Sequence, residues 1–289
     1  MNRDDGPNPP GDRPAPPGDR PGQPVAWPDP AGGLRRSELV MGTMIAVHLA
    51  DPLPPDVLAR LADDVFAWMR EVDERFSTYK ADSEVNRLGD GRLRLDDASV
   101  YLREVHDACA TLWRDTDGYF DIHATGRLDP SGYVKGWAAE VASARLVAAG
   151  STNHLVNAGG DVRVRGNPAP GRPWHVPLRH PWHPDGAYLV VAGTDLAVAT
   201  SGTYERGFHV LNPRTGEPAR DLRSVTVVGP DLGVADAYAT AAVAMGRQGL
   251  RWLAGLTRYG CAVVTEDGEG FCSPGLPVVP VEQADRLAR

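Results

Sequence analysis

At 289 residues, 42% of them hydrophobic, the chain can bury at least one full core. Its formal charge of -8 and pI near 5.5 exclude a broad phosphate-neutralising face, so nucleic acid is not an expected partner, although a local basic pocket for one ligand remains compatible. Three cysteines, Cys109, Cys261 and Cys272, lack the pairing of a disulfide framework or a zinc site, and no run nears the roughly 18 apolar residues of a membrane helix.

Residues 1–33 are dominated by Pro, Gly, Asp and Arg, with GDRP written twice, and hold little that could offset the entropy of ordering. They are expected to form a disordered tail. Its start lacks the basic-then-apolar order of a secretory signal, which together with the cysteine usage points to the cytoplasm. A globular unit is expected over residues 34–280, followed by a short tail at 281–289.

Order begins near Glu38, where ELVMGTMIAVHLA has the content of a strand interrupted by Gly42, a residue suited to close backbone approach. Pro54 and Pro55 then announce a helix over residues 56–76. Leu58, Leu61, Val65, Trp68, Val72 and Phe76 recur at three and four positions and mark its core face. A second helix is expected from Ala98 to Arg114, with Val105, Cys109 and Leu112 inward. A third follows Gly132 and ends at Gly150, where glycine supplies a left-handed cap.

Beyond it the segments HLVNAGG, DVRVRG, WHVPLRH, AYLVVAG, DLAVATSG and SVTVVG are short, β-rich and separated by Gly, Pro, Asn or Asp, which predicts an antiparallel run. VADAYATAAVAMG and RQGLRWLAGLTRYG read as two helices, and CAVVTEDGEGFCSP as a hairpin around its Asp-Gly turn. The fold class is α+β, with mostly antiparallel sheets packed against helices.

Several segments offer chemistry. Asp236 and Thr240 stand four apart, so on a helix they share one face and together suit a small hard cation such as magnesium, which takes oxygen ligands and completes its shell with water and phosphate. The competing reading makes Asp236 a helix cap and Thr240 a satisfied core residue. In YFDIHATGRLDPSGYVKGW, Asp121 and Asp129 flank a short loop and Lys135 follows near a helix start, an arrangement that attracts phosphate; alternatively Asp129 and Pro130 make a turn and Lys135 is solvated.

In VATSGTYERGFHVLNPRTG, Thr200, Ser201 and Gly202 interrupt a strand and His209 heads another, the side chain best suited to move a proton near neutral pH, though no Ser-His-Asp order is legible. Gly159 and Gly160 permit close approach of a ligand or of backbone. His175, His180 and His183 cluster with Trp174 and Trp182, but Pro177, Pro181 and Pro184 favour a loop over a metal site.

Taken in order, MGTMIAV, FSTYKADSEVNRL, GYFDI, LDPSGYVKGWAAE, VNAGGDVRVRG, ATSGTYER, HVLNPRTG, SVTVVG and ADAYATAAVAMG resemble the FAD:protein FMN transferases, the ApbE family, from roughly residue 38 to 266. The resemblance implies one α+β unit with a flavin cleft between two lobes. It implies transfer of the FMN half of FAD to a Thr or Ser hydroxyl of an acceptor protein, with Mg2+ and release of AMP.

By the same likeness Met41, Tyr79, Tyr119, Phe120 and Asp121 contact the dinucleotide, Asp129 and Lys135 hold its polar parts, and Val210 offers a backbone contact. The metal ligands implied are Asp236, Thr240 and a main-chain oxygen at or near Gly132. His209 is the candidate general base, with Asp129 second. Three features depart from the family's pattern. The loop from Asp121 to Asp129 is shorter than in longer relatives, many relatives are exported or lipid-anchored, and Asn212 replaces the usual Asp. The alternatives are an FAD pyrophosphatase giving FMN and AMP, and a non-catalytic FAD-binding or carrier protein.

Overall fold

The computed structural model describes residues 25–28, 33–183, 186–203 and 210–280. Helices are α1 (Pro55–Phe76), α2 (Glu84–Gly89), α3 (Val100–Asp115), α4 (Ser131–Ala148), α5 (Leu232–Met245) and α6 (Arg247–Ala254). Among the described residues twelve strands form two sheets, and every pairing between them is antiparallel. The larger, of nine strands, runs in the order β1 (Val25–Pro28), β2 (Leu34–Val40), β3 (Thr43–Leu49), β4 (His154–Ala158), β5 (Asp161–Arg165), β8 (Asp195–Gly202), β9 (Leu222–Gly229), β10 (Gly260–Thr265), β11 (Gly270–Cys272). The smaller orders β12 (Val278–Val279), β7 (Ala187–Gly193) and β6 (Trp174–Arg179). The α+β class expected from the sequence is the observed one.

Helices cover one face of the large sheet: α1 contacts β2 and β3, α4 contacts β4 and β5, α5 contacts β8 and β9, and α6 contacts β10. The small sheet belongs to the core on the other face, where Trp174, Val176, Leu178 and Val191 join Val162, Val164, Leu196 and Val198. Strand alternation explains the division. In β5, DVRVR sends Val162 and Val164 toward the small sheet, and Asp161 and Arg163 toward α4. In β8, Leu196 and Val198 face the small sheet while Ala197 and Ala199 face the helices, and such small side chains let α5 lie close.

The core face read for α1 is buried residue for residue. Pro55 opens this helix, where its missing N–H costs nothing. Trp68 on that face donates its indole N–H to the Ala138 carbonyl at 2.9 Å, tying α1 to α4.

The structure corrects three sequence expectations. ELVMGTMIAVHLA is a hairpin rather than one interrupted strand: Met41 and Gly42 have φ of 57° and 70° and join β2 to β3. Two consecutive positive φ values fit the tight hairpin turn whose twist matches its strands. A Cβ on Gly42 would meet nothing within 4 Å, so close approach is not what this glycine serves. Thr200, Ser201 and Gly202 do not break their strand but pair with Thr226, Val225 and Ser224 of β9. Val25–Pro28, within the segment expected to be a disordered tail, pairs as β1 with β2, where main-chain ladder bonds offset the entropy of ordering. The expected tail at 281–289 lies outside the described residues. Among the described residues no helix is long and apolar enough to cross a membrane.

A buried polar chain pins the end of α4 to the approach to α1. The Ser143 hydroxyl is 2.9 Å from His154 Nε2, His154 Nδ1 is 3.1 Å from Ser151 Oγ, and Ser151 donates to Asp51 Oδ2 at 2.6 Å. Since Ser151 spends its proton on Asp51, His154 donates through Nδ1 and accepts through Nε2, the pattern of a neutral ring. Burial lowers its pKa from 6.5 to about 4.

Between those values the unfolded chain takes up a proton that the folded chain refuses, so stability falls as pH drops from 6.5 to 4. The expected contribution is about 3 kcal/mol. Urea denaturation at pH 7, 5.5 and 4 checks it: wild type should lose stability more steeply than His154→Asn. Parallel pH profiles would contradict the assignment.

A second constraint sits where α4 crosses α5. A Cβ on Gly136 would stand 2.5 Å from the Leu232 carbonyl oxygen and 3.0 Å from Asp236 Cβ. Gly136→Ala is expected to force the helices apart and cost about 1–3 kcal/mol in a denaturant titration. An unchanged midpoint would show that the crossing has slack.

Candidate functional site

One end of the large sheet gathers the polar residues that α4 and α5 carry inward. The Met41–Gly42 turn, the Gly159–Gly160 turn between β4 and β5, and the end of β8 lie there together. Gly159 donates its amide to the Met44 carbonyl at 3.0 Å, and a Cβ on Gly159 would fall 2.3 Å from Thr43 Oγ1. With φ of 62° and 104°, Gly159 and Gly160 make the reversal that lets β5 begin at Asp161. The close approach that Gly159 permits is to the Thr43 side chain, whereas a Cβ on Gly160 would meet nothing within 4 Å.

Asp231 caps α5, its carboxylate accepting the Val234 amide at 2.8 Å, which leaves Asp236 in the second turn as no cap. Asp236 is 2% exposed. Its Oδ2 accepts the Gly136 N–H at 3.2 Å. Burial, and next the adjacent Asp161 carboxylate, push its carboxyl well above the usual carboxylate range, while Lys135 opposes that shift.

Thr240, one turn further along α5, has its hydroxyl 3.1 Å from Ser201 Oγ of β8. A Cβ on Gly132 would lie 3.3 Å from Thr240 Oγ1 and 3.3 Å from Phe120 Cε2. Thr240, Gly132 and Phe120 therefore meet, with Asp236 one helical turn away on α5. Lys135 joins them through Asp161: its Nζ is 2.6 Å from Asp161 Oδ2, with side-chain exposures of 25% and 1%. Lys135 is thus held in the fold rather than solvated.

Asp129 precedes the Pro130 N-cap of α4 and forms an Asx-type turn, its Oδ1 accepting the Ser131 N–H at 3.0 Å. Tyr119 and Phe120 are 8% and 3% exposed. The Arg214 guanidinium lies 4.4 Å from the Tyr119 ring centre and donates to Asp117 Oδ2 at 2.5 Å, joining the turn after Val210 to this segment. Val210 is half-buried against the helical core, and its carbonyl accepts the Ala219 amide at 2.9 Å. Asn212 uses its side chain on its own turn, accepting the Arg214 amide at 2.9 Å.

The other expected contact residues differ in placement, and Met41 lies with the Gly159–Gly160 turn at this end of the sheet. Met41 is half-buried at the hairpin turn. Tyr79 is 97% exposed, on a loop fixed by Asn86, whose side-chain amide donates to the carbonyls of Ser77, Thr78 and Lys80. Asp121 accepts the His123 amide and borders a hollow of about 590 Å³ beside Trp113 of α3. A hollow of about 640 Å³ lies at the opposite end of the sheet, around Asp195, Gly229 and Arg258. Neither contains the acid cluster. His209 lies outside the described residues. Among the described residues no group of three His, Cys, Asp or Glu is arranged to hold a metal, so any cation here must take hydroxyl, carbonyl or ligand oxygens as well.

Asp161 was not singled out from the sequence. Its signal was present: an acid opening a valine-rich strand directly after a Gly-Gly turn.

The ApbE family model matches residues 41–126 and 123–264. A FAD:protein FMN transferase of Rhodobacter capsulatus is 31% identical over 223 residues, which covers 73% of this chain and 39% of that protein. One of Vibrio cholerae is 29% identical over 154 residues, 50% of this chain and 46% of that one. The chain thus spans less than half the length of these curated relatives. The crystal structure of the ApbE protein from Thermotoga maritima superposes with a TM-score of 0.74 at 22% identity, covering 84% of this chain and 97% of that one. The flavin transferase ApbE from Vibrio cholerae gives 0.71 at 21%, covering 89% and 99%. At such identities the superpositions show a shared fold. Because the family model matches most of the sequence and the same fold recurs in the solved members, this chain belongs to the ApbE family.

Proposed function

We propose that this chain is a Mg2+-dependent FAD:protein FMN transferase, moving the FMN half of FAD to a Thr or Ser hydroxyl of an acceptor protein and releasing AMP. The observation that carries the reading is the meeting of Asp236, Thr240, Gly132, Asp161 and Lys135 at one end of the sheet in a chain of this family. The names of its relatives support the reaction class.

The residues fit a small hard cation. A buried carboxyl one helical turn from a hydroxyl, with a second carboxyl pressed against it, is an arrangement that positive charge relieves. Asp236 and Thr240, with a main-chain oxygen near Gly132, would hold it, and when bound it would neutralise charge on the pyrophosphate oxygens. Lys135 supplies a further positive charge for the transferred phosphate and departing AMP. In the reaction the acceptor hydroxyl oxygen bonds to the FMN phosphorus, the bond from that phosphorus to the AMP oxygen breaks, and the hydroxyl proton passes to a base. His209 is the proposed base and Asp129 the second candidate. Asp129 already accepts the Ser131 amide through Oδ1, so as base it would use Oδ2. Met41, Tyr79, Tyr119, Phe120, Asp121 and Val210 are proposed to contact the dinucleotide.

The test is incubation with FAD, Mg2+ and a small protein encoded beside this gene that carries an exposed Thr or Ser. Covalent flavin fluorescence on a denaturing gel and AMP release are then read. Both are expected, and chelation should abolish them. AMP with free FMN would instead identify a pyrophosphatase, and FAD binding without AMP a carrier.

Asp236→Asn should lower AMP release at least about a hundredfold, and Thr240→Ala about tenfold. Rates at wild-type level in both would remove the cation site from the reaction. His209→Ala should cost about a hundredfold or more in transfer. If His209→Ala and Asp129→Asn both transferred at wild-type speed, neither would be the base.

A further inference from the structure

The reversal at Gly159 and Gly160 delivers β5 into the sheet at Asp161, and strand alternation aims that side chain at the helices rather than at the small sheet. The Asp161 side chain is 1% exposed, and its buried Oδ2 is met by the charge of Lys135 without a hydrogen bond of good geometry. Oδ1 accepts the Thr200 N–H of β8 at 3.0 Å, and Oδ2 lies 2.6 Å from Lys135 Nζ of α4. Asp236 of α5 is its third neighbour. Three elements, α4, β8 and α5, thus converge on one carboxylate.

A lysine ammonium ends a flexible four-carbon stem, and at 25% exposure it has room to turn outward. Asp161 prevents this from a rigid strand end. The ion pair is neutral as a unit, so a phosphate arriving beside it meets the ammonium without meeting an unpaired carboxylate.

We propose that Asp161 is a positioning residue that holds the Lys135 ammonium beside the Asp236–Thr240 face of α5, so that lysine and cation ligands address the same phosphate. The coupling between Asp161 and Lys135 follows from the geometry, while the phosphate's identity rests on the FMN-transfer reading above. Asp161→Asn keeps the shape and the oxygen that accepts the Thr200 amide, and removes the charge that anchors the lysine.

The test is a double-mutant cycle on the full chain: wild type, Asp161→Asn, Lys135→Met and the double variant, each folded by circular dichroism, with Asp161→Glu as the charge-conserving control. FAD affinity and the rate of AMP release with Mg2+ are measured for each. Asp161→Asn should lower kcat/KM for FAD about tenfold in the wild-type background and less than about twofold in the Lys135→Met background. Asp161→Glu should recover part of the loss. Equal losses in both backgrounds, or Asp161→Asn at the wild-type rate, would overturn the proposal, because a residue that only supports the fold does its work whether or not the lysine is present.

Should the wild type release no AMP and transfer no flavin, the functional reading falls, and the same cycle in FAD dissociation constants decides the coupling. Weakening of about threefold or more by Asp161→Asn that disappears in the Lys135→Met background would sustain it. Weakening unchanged by Lys135→Met, or none at all, would end it.

Discussion

The structure turns on one buried acid. Asp236 lies in the middle of a helix enclosed on nearly every side, and a carboxyl in such a place is costly unless its oxygens are met. The Gly136 amide meets one of them only because α4 and α5 touch at a position with no side chain. That contact in turn needs the alanines of α5 and the small inward residues of β8, Ala197 and Ala199, which let the helix settle onto the sheet. The helix that is richest in small apolar residues is thus also the one that carries the polar chemistry.

Strand β5 shows how one alternation serves two purposes. Asp161 and Arg163 point to the same face, two residues apart, and both pair with α4. Arg163 is braced by Glu140 and Asp195, and the other oxygen of Glu140 accepts the Leu232 amide at the start of α5. This second set ties α4, β5, β8 and α5 into one body. Arg163 is 1% exposed while Asp195 is 59% exposed, so the guanidinium is the buried member, and losing Glu140 would leave its charge less compensated. Toward the sheet end the same face changes character, becoming partly exposed at Lys135.

Local pattern disclosed much of this. Helix α1 could be read residue by residue because its face repeats with helical spacing, and the closing hairpin because Asp-Gly sets its turn. Asp236 and Thr240 were visible as a pair four residues apart, and the structure places Gly132 beside Thr240. What stayed hidden is long-range. Nothing local tells that Asp161 stands against Lys135 and Asp236, since the three come from a strand and two helices about 100 residues apart along the chain at the extremes. The Met41–Gly42 hairpin was missed because a methionine at positive φ is uncommon and carries no turn signal of its own. Strands β1 and β12 are short and exist through their partners, β2 and β7. The rigidity of the Tyr79 loop likewise depends on one asparagine seven residues later, whose role is a tertiary fact.

The central claim is that the buried face of α5 seats a divalent cation against the phosphates of a dinucleotide. It is tested most directly by a crystal structure of the full chain grown with FAD and Mn2+, a Mg2+ surrogate that scatters anomalously. An anomalous peak within coordination distance of both Asp236 and Thr240, with a phosphate oxygen beside Lys135 Nζ, is the predicted result. FAD bound with no peak at that face, or with its pyrophosphate at another place on the sheet, would contradict the account.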